Sequence, residues 1–325
     1  MTALSLLALL GGFALLALGA ELLVRGAVSL AQLARIPPAL VGLTVVAFGT
    51  SVPELAVCLD AAARGEPGIA LGNVVGSNIC NVLLILGASA LVAPLWVPEA
   101  LIRFDLPLLC GVSVAALLCA LDGSVSRVQG AFLLLGLFAW CFFELVGAQA
   151  GRQIVRRTEQ IRHVRPQQIG AKAIAIALSS TALGLLGVLG GASFAVTGAT
   201  RIARAFGMSD TVIGLTILAI GTALPELATS VAAAFRGQGE LAVGNVIGSN
   251  LFNLLGVLGA AALASPTGVP VVHSALVFDL PVMLFGTIIC VPILRSERTV
   301  SRAEGGALLV GYAAYLALRL QGIGG

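Results

Sequence analysis

Long runs without a single charged side chain divide this chain. Residues 2–20, 67–98, 106–121, 128–143, 173–200, 211–225 and 241–272 carry no Asp, Glu, Lys or Arg. About 20 mostly apolar residues suffice for a helix to cross the hydrocarbon core of a bilayer. With turn residues and charges as punctuation, the pattern predicts ten spans: 2–24, 39–62, 69–92, 102–121, 126–147, 170–200, 211–235, 241–264, 275–295 and 303–320. Gly-Glu-Pro-Gly at 65–68 and Arg-Gly-Gln-Gly-Glu at 236–240 read as tight connectors. The first span has no basic stretch before it and no small-residue cleavage site, so it reads as a retained helix rather than a leader.

Composition agrees. Of the 325 residues, 58% are hydrophobic and 10% charged, with a mean hydropathy of +1.06. Soluble domains carry about 25% charged residues, so the chain lacks the polar surface a water-exposed globule needs. The expected fold class is an all-α polytopic membrane protein. Six cysteines (58, 80, 110, 119, 141 and 290) lie scattered in apolar runs without a Cys-x-x-Cys pair, as small packing residues do.

The longest polar segment, Gly151–Pro166, holds Arg152, Arg156, Arg157, Arg162 and Arg165, with Lys172 just beyond. Such a cluster beside membrane spans stays cytoplasmic. Residues 151–168 therefore read as a basic cytoplasmic linker between a first five-helix unit (1–150) and a second (169–325), with both termini outside.

Those two units repeat one another. Ala47-Phe-Gly-Thr-Ser-Val-Pro-Glu-Leu-Ala56 returns as Ala219-Ile-Gly-Thr-Ala-Leu-Pro-Glu-Leu-Ala228, and Gly72-Asn-Val-Val-Gly-Ser-Asn-Ile-Cys-Asn81 as Gly244-Asn-Val-Ile-Gly-Ser-Asn-Leu-Phe-Asn253, at a constant offset of 172. About half the positions in 41–90 and 213–262 are identical, and Phe104-Asp-Leu-Pro107 matches Phe278-Asp-Leu-Pro281. Five spans, an odd number, separate the copies, so the second inserts upside down. Ten helices in two inverted-topology repeats are the signature of secondary transporters.

The repeated residues are costly in lipid. Glu54 and Glu226 fall near the middle of their spans, where an ionisable group is by default functional. Pro53 and Pro225 donate no backbone hydrogen bond, leaving the carbonyls of Gly49 and Gly221 free and breaking each helix near Thr50 or Thr222. Free carbonyls at that depth must line a cavity or bind something. On the next helix Asn73, Ser77 and Asn81 share one face, as do Asn245, Ser249 and Asn253, while Gly72 and Gly76 allow close helix approach. Asn73 and Asn81 are about 12 Å apart along the axis, so Ser77 and Asn81 are the better partners for the glutamates. Two carboxylates, amide oxygens, hydroxyls and carbonyls make an all-oxygen set, suited to hard cations such as Ca²⁺ and Na⁺. Two carboxylates balance one Ca²⁺ or two Na⁺, and mutually exclusive occupancy gives antiport directly.

These motifs closely resemble the two α-repeats of the sodium/calcium exchanger family. The resemblance implies side-chain ligands at Glu54, Glu226, Ser77, Ser249, Asn81, Asn253 and Ser51, and backbone carbonyl ligands at Ala47, Ala219, Thr50 and Thr222. Glu54, Glu226, Thr50 and Thr222 would hold Ca²⁺. It further implies that helices near 2–35 and 170–206 slide to alternate access, and a bacterial or archaeal inner membrane as the location. Two positions depart from the pattern. Ala223 stands where the first copy has Ser51, and Asn81 and Asn253 are both asparagine where some members carry one aspartate. The site charge is then −2, and one Na⁺ subsite is expected to be weakened.

Other polar residues carry less. Asn73, Asn78, Asn245 and Asn250 suit helix–helix hydrogen bonds as well as function, and Asp105 and Asp279 suit caps or interface anchors. Glu21, Asp60 and Glu144 have no acidic mates in the other half. His163 and His273 fall in connectors. No ATP-binding glycine loop is present, and no cofactor, nucleic-acid partner or obligate protein partner is expected; the partners are Ca²⁺, Na⁺ and the bilayer. Two rival readings share the site: a Ca²⁺/H⁺ exchanger of the same superfamily, which would usually show an acid within the Gly-Asn motif, and a gated cation channel. An intramembrane hydrolase would need a paired Asp or a Ser/His group, which the spans lack.

Overall fold

A computed structural model describes residues 2–161, 170–208 and 219–321. The helices are α1 (Thr2–Ala34), α2 (Pro38–Thr50), α3 (Val52–Ala63), α4 (Gly68–Val92), α5 (Leu101–Ala120), α6 (Arg127–Ile161), α7 (Ala171–Ala205), α8 (Ala219–Thr222), α9 (Leu224–Phe235), α10 (Gly239–Ala264), α11 (Ala275–Arg295) and α12 (Arg302–Leu320). Seven are long and apolar enough to cross a membrane, or eight when the bent pair α2–α3 counts as one span. The ten expected spans are therefore not all met by this measure. α9 begins only after the break at Ala223, residues 209–218 before α8 lie outside the described ones, and α12 carries Arg302, Glu304 and Arg319.

The fifth span also differs from its expected end at 147. α6 continues as one helix of 35 residues to Ile161, into the segment expected to be a linker. Nothing in Gly151–Ile161 is a proline, and helix propensity of Arg, Gln and Ile is adequate to carry the helix on. Arg162, His163 and Arg165 lie outside the described residues.

Glycine decides how α1 meets α7. A Cβ on Gly12 would sit 2.9 Å from the Gly191 carbonyl oxygen, and one on Gly19 would sit 3.0 Å from that of Gly184. Positions ascend along α1 as they descend along α7, so the two helices run antiparallel with backbones in contact, as small residues permit in lipid. The contacts are reciprocal under the repeat offset: Gly12 and Gly19 correspond to Gly184 and Gly191.

Around this pair the surface is apolar. Leu4, Leu7, Phe13 and Leu18 of α1 and Phe132, Phe138, Phe142 and Phe143 of α6 are exposed, a pattern stable in hydrocarbon and costly in water. The centre holds the reverse. Along α10, residues Leu241 to Val257 are all buried, polar ones included.

Four two-residue strands tie the halves together. β1 (Leu95–Trp96) pairs antiparallel with β4 (Thr299–Val300), Leu95 opposite Val300. β2 (Ser124–Val125) pairs antiparallel with β3 (Val269–Pro270), Ser124 opposite Pro270. Each pair joins a connector of the first half to one of the second.

Asp105 and Asp279 do not cap their helices. Each anchors a neighbouring helix instead: Asp105 accepts from Trp140 Nε1 at 3.1 Å, and Asp279 accepts from the Tyr315 hydroxyl at 3.0 Å and pairs with Arg319 at 3.1 Å. Glu21 forms ion pairs with Arg25 of its own helix, at 2.7 Å, and with Arg236 at the end of α9. Asp60 pairs with Arg64 at 2.9 Å. All six cysteines are free.

Candidate functional site

Both helix breaks fall one residue later than expected. The chain leaves helical geometry at Ser51 (φ −86°, ψ 7°) and at its counterpart Ala223 (φ −85°, ψ 0°). α2 and α3 meet there at 40°. The cause is the proline two residues on. Pro53 and Pro225 sit in the first turn of α3 and α9, where a missing N–H costs nothing, and their rings crowd the turn before. The Ala47 carbonyl is not wholly free: it accepts from the Ser51 N–H at 3.1 Å. The Thr50 hydroxyl lies 3.4 Å from the same oxygen, within reach of its second lone pair.

The breaks bring the first turn of α3 and of α9 together at the centre. Glu54 and Glu226 are each 1% exposed, on opposite halves of the sequence. Ser51 donates its hydroxyl to Glu226 Oε1 at 3.0 Å. Ala223 has no hydroxyl to return to Glu54, so the two carboxylates are supported unequally. On each glutamate Oε2 is buried and has no hydrogen-bond partner among the described residues. Ser249 Oγ and Asn253 Oδ1 are likewise buried and without partner. Orphan oxygens in this density are rare, because each costs about 1–3 kcal/mol. They share one chemical character: all can face a cation.

The face of α10 that bears Asn245, Ser249 and Asn253 is turned to the breaks. Asn245 Nδ2 donates to Ser230 Oγ at 3.0 Å, and its Oδ1 lies 3.5 Å from the Thr50 hydroxyl. Thr50 itself donates to the Val46 carbonyl at 3.1 Å. On α4 the equivalent Asn73 Oδ1 lies 3.5 Å from the Cys58 thiol, Cys58 being the counterpart of Ser230. Asn73 and Asn245 thus brace the broken helices and stand a turn away from Ser77 and Ser249. Ser77 and Asn81 are 6% and 2% exposed. Thr222 is half-buried, and of Ala219 only the backbone is described.

Two features were not visible from spacing. Asn81 and Asn253 lie in π-helical turns, Cys80–Ile85 and Phe252–Val257, a local geometry frequent at functional sites. Asn78 and Asn250 also enter the network directly: Asn81 Nδ2 donates to Asn250 Oδ1 at 2.9 Å, and Asn253 Nδ2 donates to Asn78 Oδ1 at 3.2 Å. The signal was the recurrence of Asn at the same place in both copies.

Gly244 and Gly248 earn their place by close approach. A Cβ on Gly248 would lie 2.7 Å from the Leu43 carbonyl carbon, and one on Gly244 would lie 3.1 Å from the Leu43 nitrogen. They let α2 lie against α10. At Gly72 and Gly76 an added Cβ would meet nothing within 4 Å among the described residues; residues 209–218, the sequence counterparts of 37–46, lie outside them.

Among the described residues no cluster of three or more His, Cys, Asp and Glu side chains is present. The charge at the centre is that of two carboxylates, and the remaining oxygens are neutral.

Similar proteins share this plan. The chain is 38% identical over 308 residues to the "Putative antiporter CaxA" of Alkalimonas amylolytica, covering 94% of this chain and 95% of that protein. It is 30% identical to the "Sodium/calcium exchanger MaX1" of Methanosarcina acetivorans, covering 97% and 98%. Among solved structures, the sodium-calcium exchanger NCX_Mj, in crystals soaked with 2.5 mM Na⁺ and 0.1 mM Ca²⁺, superposes with a TM-score of 0.84 at 30% identity, over 98% of this chain and 99% of that one. The sequence also matches the family described as "Sodium/calcium exchanger protein" over residues 4–146 and 176–321. With buried carboxylates at two broken helices and these matches along nearly its whole length, the chain is an integral membrane protein and belongs to the sodium/calcium exchanger family.

Proposed function

We propose that this chain is a ten-span secondary antiporter that expels Ca²⁺ in exchange for Na⁺, by alternating access to one site at the centre of the membrane. The observation that carries the reading is the pair Glu54 and Glu226, each buried with an unpartnered oxygen beside a proline-induced break. In lipid such a pair must be neutralised, by bound metal cations or by protons. One Ca²⁺ or two Na⁺ do so, and the same oxygens cannot hold both loads at once. The ligands in this reading are Glu54, Glu226, Ser51, Ser77, Ser249, Asn81 and Asn253, with the carbonyls of Ala47, Ala219, Thr50 and Thr222.

Strand pairing supports the ten-span, inverted arrangement. The connectors holding β1 and β4 pair, so they lie on one side of the membrane, and those holding β2 and β3 share a side in the same way. Both conditions are met if residues 206–238 cross once, which makes ten spans and places the copies upside down to one another. The reciprocal glycine contacts of α1 and α7 fit the same two-fold relation. The basic stretch 151–168 then faces the cytoplasm of a bacterial or archaeal inner membrane, and both termini face outside.

Everted membrane vesicles test the coupling. Ca²⁺ loaded by this protein should leave or enter in response to an imposed Na⁺ gradient. A response to a proton gradient with indifference to Na⁺ would instead assign the chain to Ca²⁺/H⁺ exchange, and saturable flux needing no counter-ion would make it a channel.

Ala223 gives a second test. Ala223→Ser would restore to Glu54 the hydroxyl that Ser51 offers Glu226. Added hydrogen bonds to a charged group contribute about 1.5–3 kcal/mol. Half-saturating Na⁺ should therefore fall several-fold and its cooperativity rise, while Ca²⁺ affinity moves less; Na⁺ curves identical to wild type would refute the weakened subsite.

A further inference from the structure

The asparagines where α4 meets α10 are hydrogen-bonded so that one of them is fixed more firmly than its counterpart. A carboxamide has an oxygen that only accepts and a nitrogen that only donates. Its orientation is therefore set by any partner able to do just one of the two. A backbone carbonyl is such a partner.

Asn78 Nδ2 donates to the Asn250 carbonyl oxygen at 3.3 Å, a bond that Asn78 turned end for end could not make. Its Oδ1 must then face Asn253, whose Nδ2 donates to it at 3.2 Å. Asn253 is in turn obliged to hold Oδ1 on its other side. That oxygen is buried and has no hydrogen-bond partner among the described residues. It shares a helix face with Ser249 and Asn245, and Asn245 contacts Thr50 and Ser230 at the broken helices.

The counterpart pair has no such anchor. Asn81 Nδ2 donates to Asn250 Oδ1 at 2.9 Å, but Asn250 Nδ2 is buried and has no partner among the described residues. Turning both of these amides together exchanges one hydrogen bond for another of the same kind. Nothing in the pair prefers one sense.

We infer that Asn78 is a positioning residue: through its bond to the Asn250 carbonyl it locks Asn253 with the amide oxygen presented to the cation, whereas Asn81 is free to present oxygen or nitrogen. The inference rests on the cation-site reading above. Its consequence is that Asn253 is an oxygen ligand at all times. Asn81 is one only when a cation holds it so; in an emptied site it can turn and donate to a carboxylate.

The test uses the purified full-length protein, with Ca²⁺ binding read as a rise in melting temperature and Na⁺-driven Ca²⁺ uptake measured in proteoliposomes. Asn78→Ala should raise half-saturating Ca²⁺ about 10–100-fold, the range for loss of an outer partner of a metal ligand, with the maximal uptake rate close to wild type. Asn78→Asp keeps an acceptor facing Asn253 Nδ2 and should bind Ca²⁺ at least as tightly as wild type. In an Asn253→Ala background, Asn78→Ala should add nothing, because its whole effect passes through Asn253. Multiplying effects in the double variant, or an Asn78→Asp protein as weak as Asn78→Ala, would overturn the inference. If Asn78→Ala does not fold, Asn78→Asp decides alone, since it preserves the volume of the side chain. Wild-type protein indifferent to both Ca²⁺ and Na⁺ would overturn the cation-site reading itself, whereas a responsive wild type with multiplying variants overturns only the role of Asn78.

Discussion

Glu54→Gln or Glu226→Gln should abolish exchange while leaving the ion-free protein better folded than wild type. Glutamine keeps the shape and an amide oxygen, so packing survives. What it removes is one of two negative charges at the centre, each 1% exposed. A bound Ca²⁺ would then leave an uncompensated positive charge in a dry site. Breaking a buried ionic pairing costs about 3–5 kcal/mol, which is roughly a 10²–10⁴-fold loss of affinity. The ion-free state shifts the other way, because two buried like charges no longer face each other. Flux assays and melting curves without ions check both halves of the expectation. Retained exchange in both variants, or an ion-free melting temperature below that of wild type, would contradict the role given to the pair.

Pro53→Ala and Pro225→Ala should also trade transport for stability. With an N–H restored at position 53, the Gly49 carbonyl gains its helical partner and the break at Ser51 closes. A restored backbone hydrogen bond contributes about 0.5–1.5 kcal/mol, so a straightened span should be somewhat more stable. The bend of 40° between α2 and α3 is what turns Ser51 toward Glu226, and straightening carries Thr50, Ser51 and Glu54 off together. Uptake should drop at least tenfold, equivalent to ~1.4 kcal/mol, with a higher melting temperature. Unchanged uptake from a straightened helix, detected by loss of the Ser51–Glu226 proximity in a spin-label or cross-linking measurement, would count against the break as a functional device.

How legible was this arrangement in the sequence? The paired breaks were, because proline acts locally and the same proline stands before the same glutamate twice. The error of one residue, Ser51 rather than Thr50, reflects where the ring strain is relieved. The face bearing Ser77 and Ser249 was legible from helical periodicity. The π-helical turns at Asn81 and Asn253 were not, since the apolar runs around them read as regular helix. Asn78 and Asn250 were seen as polar residues in a helix, but their bonds run to residues about 170 positions away and spacing cannot announce such partners. Ser230 went unremarked, and Cys58 was read only as a packing residue, for a similar reason: a small polar side chain gains meaning only from the asparagine opposite it. The helical continuation of α6 to Ile161 was missed because charge was taken to end the helix, when charge ends only the membrane.

The short strands also bear on how the chain is made. Leu95 pairs with Val300, and α1 seats its glycines against α7. Neither partner exists when the first half leaves the ribosome. At about 5–20 residues per second, the connector holding β1 waits on the order of 10–40 s for β4 to be synthesised. For the earlier part of that interval, until α7 and Glu226 have been made, a half-built protein lies in the membrane with bare glycine backbone along α1 and Glu54 without its mate. Biogenesis therefore passes through a long-lived intermediate that insertion machinery must shelter from membrane proteases, and a truncated first half should be a substrate for quality control rather than a small stable domain.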